Sequence, residues 1–235
     1  MIIQAKDRHF VYICSMIKII IFDLDGTLIN TIADLSAATD YALSRRGLKT
    51  HSIKDYTAMV GHGIKRLIIS ALEKSLGATP QEDLVEDCLK DFTDYYVEHI
   101  DVHTRPYEGM PELLDHLQSK GCQIAVASNK FQAGTEKLIA EFFPDIRFTA
   151  VMGNSPELPL KPDAEVVNYI LNKAGVSREE CIFVGDSPTD LQTARNAGVK
   201  SIAVCWGFRP REVLLDADQL ASSPKELKEI LDSLI

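Results

Sequence analysis

The sequence has no apolar run long enough to cross a bilayer. Its best candidate, residues 10–22, is interrupted by Lys18 and ended by Asp23, well short of the ~20 apolar residues of a spanning helix. No small-residue cleavage site follows, so a secretory signal is not expected either. Basic residues do not cluster and the formal net charge is -9, which argues against nucleic acid as the main partner. The five cysteines are odd in number and lack CxxC spacing, so neither a disulfide framework nor a zinc site is expected. Cys122, Cys181 and Cys205 sit in or beside apolar strand-like runs, where a reduced thiol acts as a small hydrophobe. A reducing cytoplasm fits that usage. Repeats and low-complexity segments are also missing. What remains is an ordinary globular composition, 46% apolar and 25% charged over 235 residues. That length suits one large domain or one domain carrying an insertion.

Patterning favours the second option. Residues 17–22 form a continuous β-branched run, the signature of a strand buried on both faces. From Thr31 to about His103 the pattern turns helical, with Ile32, Leu35, Ala38 and Leu43 on one face. Ile64, Leu67, Ile68 and Leu72 form a second stripe, and Leu84, Cys88, Phe92 and Tyr95 a third. After the turn-rich Arg105–Pro111 segment, alternation begins. Helices are expected over 112–120, 133–143, 163–174, 189–197 and 224–234, and strands over 123–127, 148–152, 182–184 and 201–205. Such alternation predicts an α/β fold with a Rossmann-like parallel sheet and an inserted all-helical unit. Ligands in these sheets bind beyond the carboxyl ends of the strands. Asp23, Ser128 and Asp186 each stand at such an end.

The first strand runs into Asp23-Leu24-Asp25-Gly26-Thr27. At strand spacing Asp23 and Asp25 leave on the same face, and like charges that close call for a cation or a raised pKa. Gly26 lets the backbone approach a ligand, and Thr27 adds a hydroxyl. Three further segments follow: Ser128-Asn129 after an apolar strand, Lys161 before Pro162, and Gly185-Asp186-Ser187-Pro188-Thr189-Asp190 after another strand. Asp186 and Asp190 lie one turn apart at a helix start, where the helix dipole favours carboxylates.

Taken together in this order, the four segments resemble those of the haloacid dehalogenase-like hydrolase superfamily, from about Met16 to the C-terminus. The resemblance implies a core at 16–30 and 104–235, a helical cap at 31–103, and an N-terminal extension at 1–15. It implies that Asp23 is the nucleophile, forming an aspartyl-phosphate, and that Asp25 is the general acid and base. Relatives acting on carbon–halogen bonds lack the second Asp, so phosphoryl transfer is implied. Mg2+ would be held by Asp23, the Asp25 carbonyl and Asp186, with Asp190 acting more distantly through water or Lys161. Lys161 would neutralise charge on the transferring group. Gly26, Thr27, Ser128 and Asn129 would face the phosphoryl oxygens, and Lys130 would also bind the substrate.

Within the superfamily the chain looks like the phosphoglycolate phosphatase branch. The resemblance rests on Gly61-His62-Gly63, Lys130 after Asn129, and Trp206-Gly207-Phe208. Gly63, Lys65 and Arg66 are then expected to reach the substrate beyond its phosphate, the cations pairing with a carboxylate. The GxG is not a Walker loop, since GxxxxGK[ST] spacing is absent. Asn30 departs from the Asp usual beside the cap hinge. The expected activity is a Mg2+-dependent phosphatase acting on a small phosphorylated metabolite, as a monomer or homodimer. A phosphomutase of the β-phosphoglucomutase type, a pyrophosphatase and a non-enzymatic phospho-acceptor are the alternatives.

Overall fold

In the computed structural model, residues 16–235 are described; the expected N-terminal extension at 1–15 lies outside them. The chain runs β1 (Ile19–Phe22), β2 (Ile29–Asn30), α1 (Ile32–Ser44), α2 (Ile53–Met59), α3 (Ile64–Leu76) and α4 (Glu82–His99). It continues with β3 (Arg105–Pro106), α5 (Met110–Ser119), β4 (Gln123–Phe131), α6 (Gln132–Phe142), β5 (Phe148–Asn154) and α7 (Glu165–Ala174). Last come β6 (Cys181–Gly185), α8 (Pro188–Ala197), β7 (Lys200–Val204), β8 (Gln219–Ala221) and α9 (Pro224–Asp232). Among the described residues no helix is long and apolar enough to cross a membrane.

Six strands form one parallel sheet in the order β5-β4-β1-β6-β7-β8. Every residue of β1 is buried because helices cover both faces. Ile20 and Phe22 point into one core with Ile124, Val126, Ile182 and Val184, closed by Leu114 of α5 and Leu227 of α9. Ile19 and Ile21 point the other way, to Ala125, Cys181 and Phe183, under Val167 and Ile170 of α7. That two-sided burial is why the strand reads as an unbroken apolar run rather than an alternating one.

Strand order decides where the chemistry goes. β4 and β6 flank β1, with Phe22 level with Val126 on one side and Val184 on the other. Asp23 follows Phe22 directly, and Ser128 and Asp186 each stand two residues past its level partners, so the three share one edge at the point where the chain order switches sides. The expected strand at 123–127 in fact continues to Phe131. Between Ala127 and Phe131 its pairing with β5 shifts register, and Ser128, Asn129 and Lys130 fall within that irregularity. Such shifts re-aim side chains near active sites.

The helical insertion departs and returns through a two-residue antiparallel ribbon, β2 against β3, too short to leave a sequence pattern. Its buried stripes agree with the expected ones, except that Ile64, Leu84 and Tyr95 are only half-buried while Val85 and Tyr96 lie deeper. Asn30, the departure noted at the hinge, accepts from the Ile32 N–H at 3.3 Å. A stronger tie lies four residues on. Buried Asp34 accepts from the His103 N–H at 2.9 Å and from both the N–H and hydroxyl of Thr104 at 2.8 Å. It fastens the start of the first inserted helix to the strand that leads back.

Candidate active site

Asp23 follows β1, its N–H held by Val184 O at 2.8 Å. Its carboxylate meets Lys161 Nζ at 2.8 Å, and the same ammonium meets Asp190 Oδ1 at 2.6 Å. Asp190 has no spare oxygen: its Oδ2 takes the Ser187 hydroxyl at 2.6 Å and the Ser187 N–H at 3.1 Å, within the capping box of α8. Asp186 Oδ2 accepts from the Phe208 N–H at 2.6 Å. Carboxylate oxygens of Asp23, Asp186 and Asp190 all lie within 4.8 Å of one another.

Burial makes this crowding expensive. The Asp23 pKa rises from 3.8 to about 7, through desolvation first and the Asp190 charge second, with Lys161 pulling the other way. Asp186 is pushed well above the usual carboxylate range by the same burial, with Asp190 and Asp23 adding to it. Burial acts to lower Lys161, but Asp190 and Asp23 more than offset it and its pKa is raised. Three buried acids facing one ammonium are short of positive charge. All the donors are hard oxygens, the set that Mg2+ prefers, and a divalent cation fits the cluster. Asp23, Asp186 and Asp190 could each offer it an oxygen, and Asp190 is the most heavily engaged of the three, by Lys161 and by both donors of Ser187.

Two glycines let the backbone close around Asp186. Gly26 has φ +89°, and a Cβ there would stand 2.5 Å from Asp186 Oδ2. At Gly207 a Cβ would strike Asp186 and the Gly26 carbonyl. Beside it the Trp206 indole donates to Thr27 O at 3.2 Å, while Thr27 Oγ1 makes a long 3.5 Å contact with Asp186.

Lys130 is buried on the other side of the site. It reaches Asp25 Oδ1 at 3.4 Å and Tyr96 Oη at 2.5 Å, with its ammonium 4.6 Å from the Tyr96 ring centre. Burial lowers its pKa and Asp25 partly restores it. Tyr96 belongs to α4, so this contact joins insertion to core.

A pocket of about 50 Å³ lies between them. Its floor is Asp23, Asp25, Ser128, Asn129, Lys130, Lys161 and Asp186, and the insertion supplies Leu35, Val60, Ile64 and Leu67 as an apolar wall. Gly63 lines it as expected. Lys65 and Arg66 do not. Lys65 is about half exposed and pairs with Glu82 and Glu86 at 2.8 Å each, while Arg66 lies 3.8 Å from Glu73. Residues 65 and 66 follow Ile64 round the helix, so with Ile64 and Leu67 on the pocket they fall outside it. Asn129 lines the pocket with its side chain turned to the main chain around it. Its side chain bonds the Lys161 backbone twice, at 2.8 and 3.1 Å, and the Gly61 carbonyl at 3.2 Å. Phe208 and Arg209 also line the pocket, and nothing local in the sequence marks Arg209, which follows the Trp206-Gly207-Phe208 segment directly.

The profile of the haloacid dehalogenase-like hydrolase family matches residues 20–204. The chain belongs to that family. It is 31% identical over 218 residues to the phosphoglycolate phosphatase of Aquifex aeolicus, covering 93% of this chain and 98% of that one. It is 33% identical over 198 residues to the phosphoglycolate phosphatase of Mesorhizobium japonicum, covering 83% and 86%. A solved structure from Lactobacillus delbrueckii subsp. bulgaricus, assigned by inference as a phosphoglycolate phosphatase, superposes with a TM-score of 0.87 at 31% identity. That superposition covers 92% of this chain and 98% of the other. The resemblance seen in the four sequence segments therefore extends along nearly the whole described chain.

Proposed function

We propose that this member of the family is a Mg2+-dependent phosphatase that hydrolyses a small phosphate monoester, phosphoglycolate or a close analogue. The observation that carries the reading is the convergence of Asp23, Lys161, Asp190 and Asp186 at one sheet edge, with Asp25 beside them. Asp23 attacks phosphorus while Asp25 gives its proton to the departing alkoxide, so the P–O bond to the alcohol breaks as the bond to Asp23 forms. Asp25 then takes a proton from water as that water attacks phosphorus, and the bond to Asp23 breaks to release phosphate. Lys161, fixed by Asp190, holds positive charge against the group in transfer. Asp23, Asp186 and the Asp25 carbonyl would hold Mg2+, which supplies further positive charge against the phosphoryl oxygens when bound.

The pocket supports a short leaving group. The wall opposite the acids is apolar, made by Leu35, Val60, Ile64 and Leu67, and such a face gives a sugar ring's hydroxyls few partners on that side, which favours a small leaving group over the mutase alternative. We place the domain boundaries at residues 30–31 and 103–104, where the β2–β3 ribbon meets the inserted helices. The test is a panel of small esters with purified protein and Mg2+, scored for free phosphate. Phosphoglycolate should head the panel. Turnover only of a hexose phosphate given a bisphosphate primer, or of pyrophosphate, would overturn the reading, as would no release from any ester.

A further inference from the structure

Arg209 stands on the core loop after β7, next to Phe208, whose N–H binds Asp186. Its guanidinium reaches across the pocket to the insertion. One Nη donates to the Thr57 carbonyl and the other to the Val60 carbonyl. Both acceptors lie at the C-terminal end of α2, where carbonyls lack partners within the helix and carry its partial negative charge. Among the described residues no carboxylate lies within salt-bridge distance of Arg209, although its charge acts on Asp186, and both ends of its fork go to this helix end. Asn129, from β4, takes the next carbonyl, Gly61 O, at 3.2 Å while its amide is locked onto the backbone of Lys161. Two core side chains thus hold three carbonyls of one short segment. That segment supplies Val60 and Gly61 to the pocket wall, and Gly63 follows two residues on.

We propose that Arg209 is a positioning residue for the reaction, clasping residues 57–61 over the pocket so that the site stays closed to bulk water. The planar fork matters, because a lysine is a single point donor and cannot satisfy two fixed carbonyls in the same way. With the clasp gone, the segment opens more often, and the loss falls on every ester alike because the Arg209 fork is spent on the two carbonyls and not on one kind of leaving group. The effect on rate rests on the phosphatase reading; the clasp does not.

The experiment uses the full chain with Arg209→Lys and Arg209→Gln. Hydrogen exchange at residues 57–63 should quicken by about tenfold or more in both variants, given the strength of hydrogen bonds to charged donors, while amides of β1, β4 and β6 keep their rates. With Mg2+, kcat/KM should fall by a similar factor for phosphoglycolate and for neutral phenyl phosphate, and lysine should not rescue it. Unchanged exchange at 57–63 overturns the proposal. So does a loss confined to phosphoglycolate, which would make Arg209 a contact for the substrate carboxylate. Loss of the native circular dichroism in both variants would likewise overturn it, by making Arg209 a requirement of the fold. Quickened exchange in a protein whose parent hydrolyses no ester would leave the clasp standing and sink the phosphatase reading.

Discussion

The sheet edge and the inserted helices use charge in opposite ways. At the edge, Asp23, Asp186, Asp190, Lys130 and Lys161 are all buried, where each ion depends on its neighbours and removal of one leaves another unpaired. On the insertion, Lys65, Lys74 and Lys90 pair with Glu82, Asp55 and Asp94 in water, where such pairs contribute roughly 0–1 kcal/mol. What the insertion gives the pocket is apolar side chains and main-chain carbonyls, with Tyr96 as the polar exception. Apart from Asp34 at the hinge, the buried charges among the described residues gather at the sheet edge, and these exposed lysines lie on a solvated helix face.

The largest test of that contrast is Asp23→Asn. It removes the proposed nucleophile and an oxygen of the proposed metal site while keeping the shape, so kcat should fall below about a hundredth of wild type, a loss beyond the low end of acid–base help alone. Because it also removes one of the crowded buried acids, metal-free protein should melt no lower than wild type. A variant retaining more activity than that would take the nucleophile's role from Asp23.

Asp34→Ala breaks the link between the two regions. It strands the buried Thr104 donors, and urea unfolding should show a loss of roughly 1–3 kcal/mol. No loss would mean the hinge is held by other contacts.

A smaller, pH-dependent effect follows from Asp23. Its folded pKa of about 7 lies above its ordinary 3.8, so between those values the folded state binds more protons than the unfolded one. Stability of the metal-free protein should therefore increase as pH falls from about 7 toward 4, with Asp186 acting in the same direction. Mg2+ competes with those protons, and its stabilisation should be greater at pH 8 than at pH 5.5. Melting curves in chelator and in Mg2+ check both statements, and a metal effect that is the same at both pH values would contradict them.

The smallest effect is expected outside the pocket. Lys65→Ala and Arg66→Ala should each change kcat/KM by less than about twofold and stability by under about 1 kcal/mol. A tenfold loss toward phosphoglycolate in either would bring the exposed helix face into the site and dissolve the contrast.

The sequence by itself determined the chemistry-bearing edge. The short β-branched run Ile19-Ile20-Ile21 reads as a strand covered on both faces, and Asp23-Leu24-Asp25-Gly26-Thr27 follows one residue later. Helix starts and strand ends are local events, so Ser128, Asp186 and Asp190 were legible wherever the apolar runs stopped. Lys161 was legible through the resemblance of its segment, since nothing local distinguishes a lysine before proline from a solvated one. The tertiary structure decided the rest. Helical periodicity shows which face is buried but not which side chain lies across from it, so Lys65 and Arg66 looked as available as any cations after a GxG. Only the packed insertion turns them to Glu82, Glu86 and Glu73. Arg209 carries no local signal, because its partners are main-chain carbonyls some 150 residues away, a distance of 149 to Val60. Lys130 and Tyr96 meet for the same reason. Strand ends are set by the chain's own neighbours; what closes over them is set by which segments the fold brings into contact, and that is a property of packing.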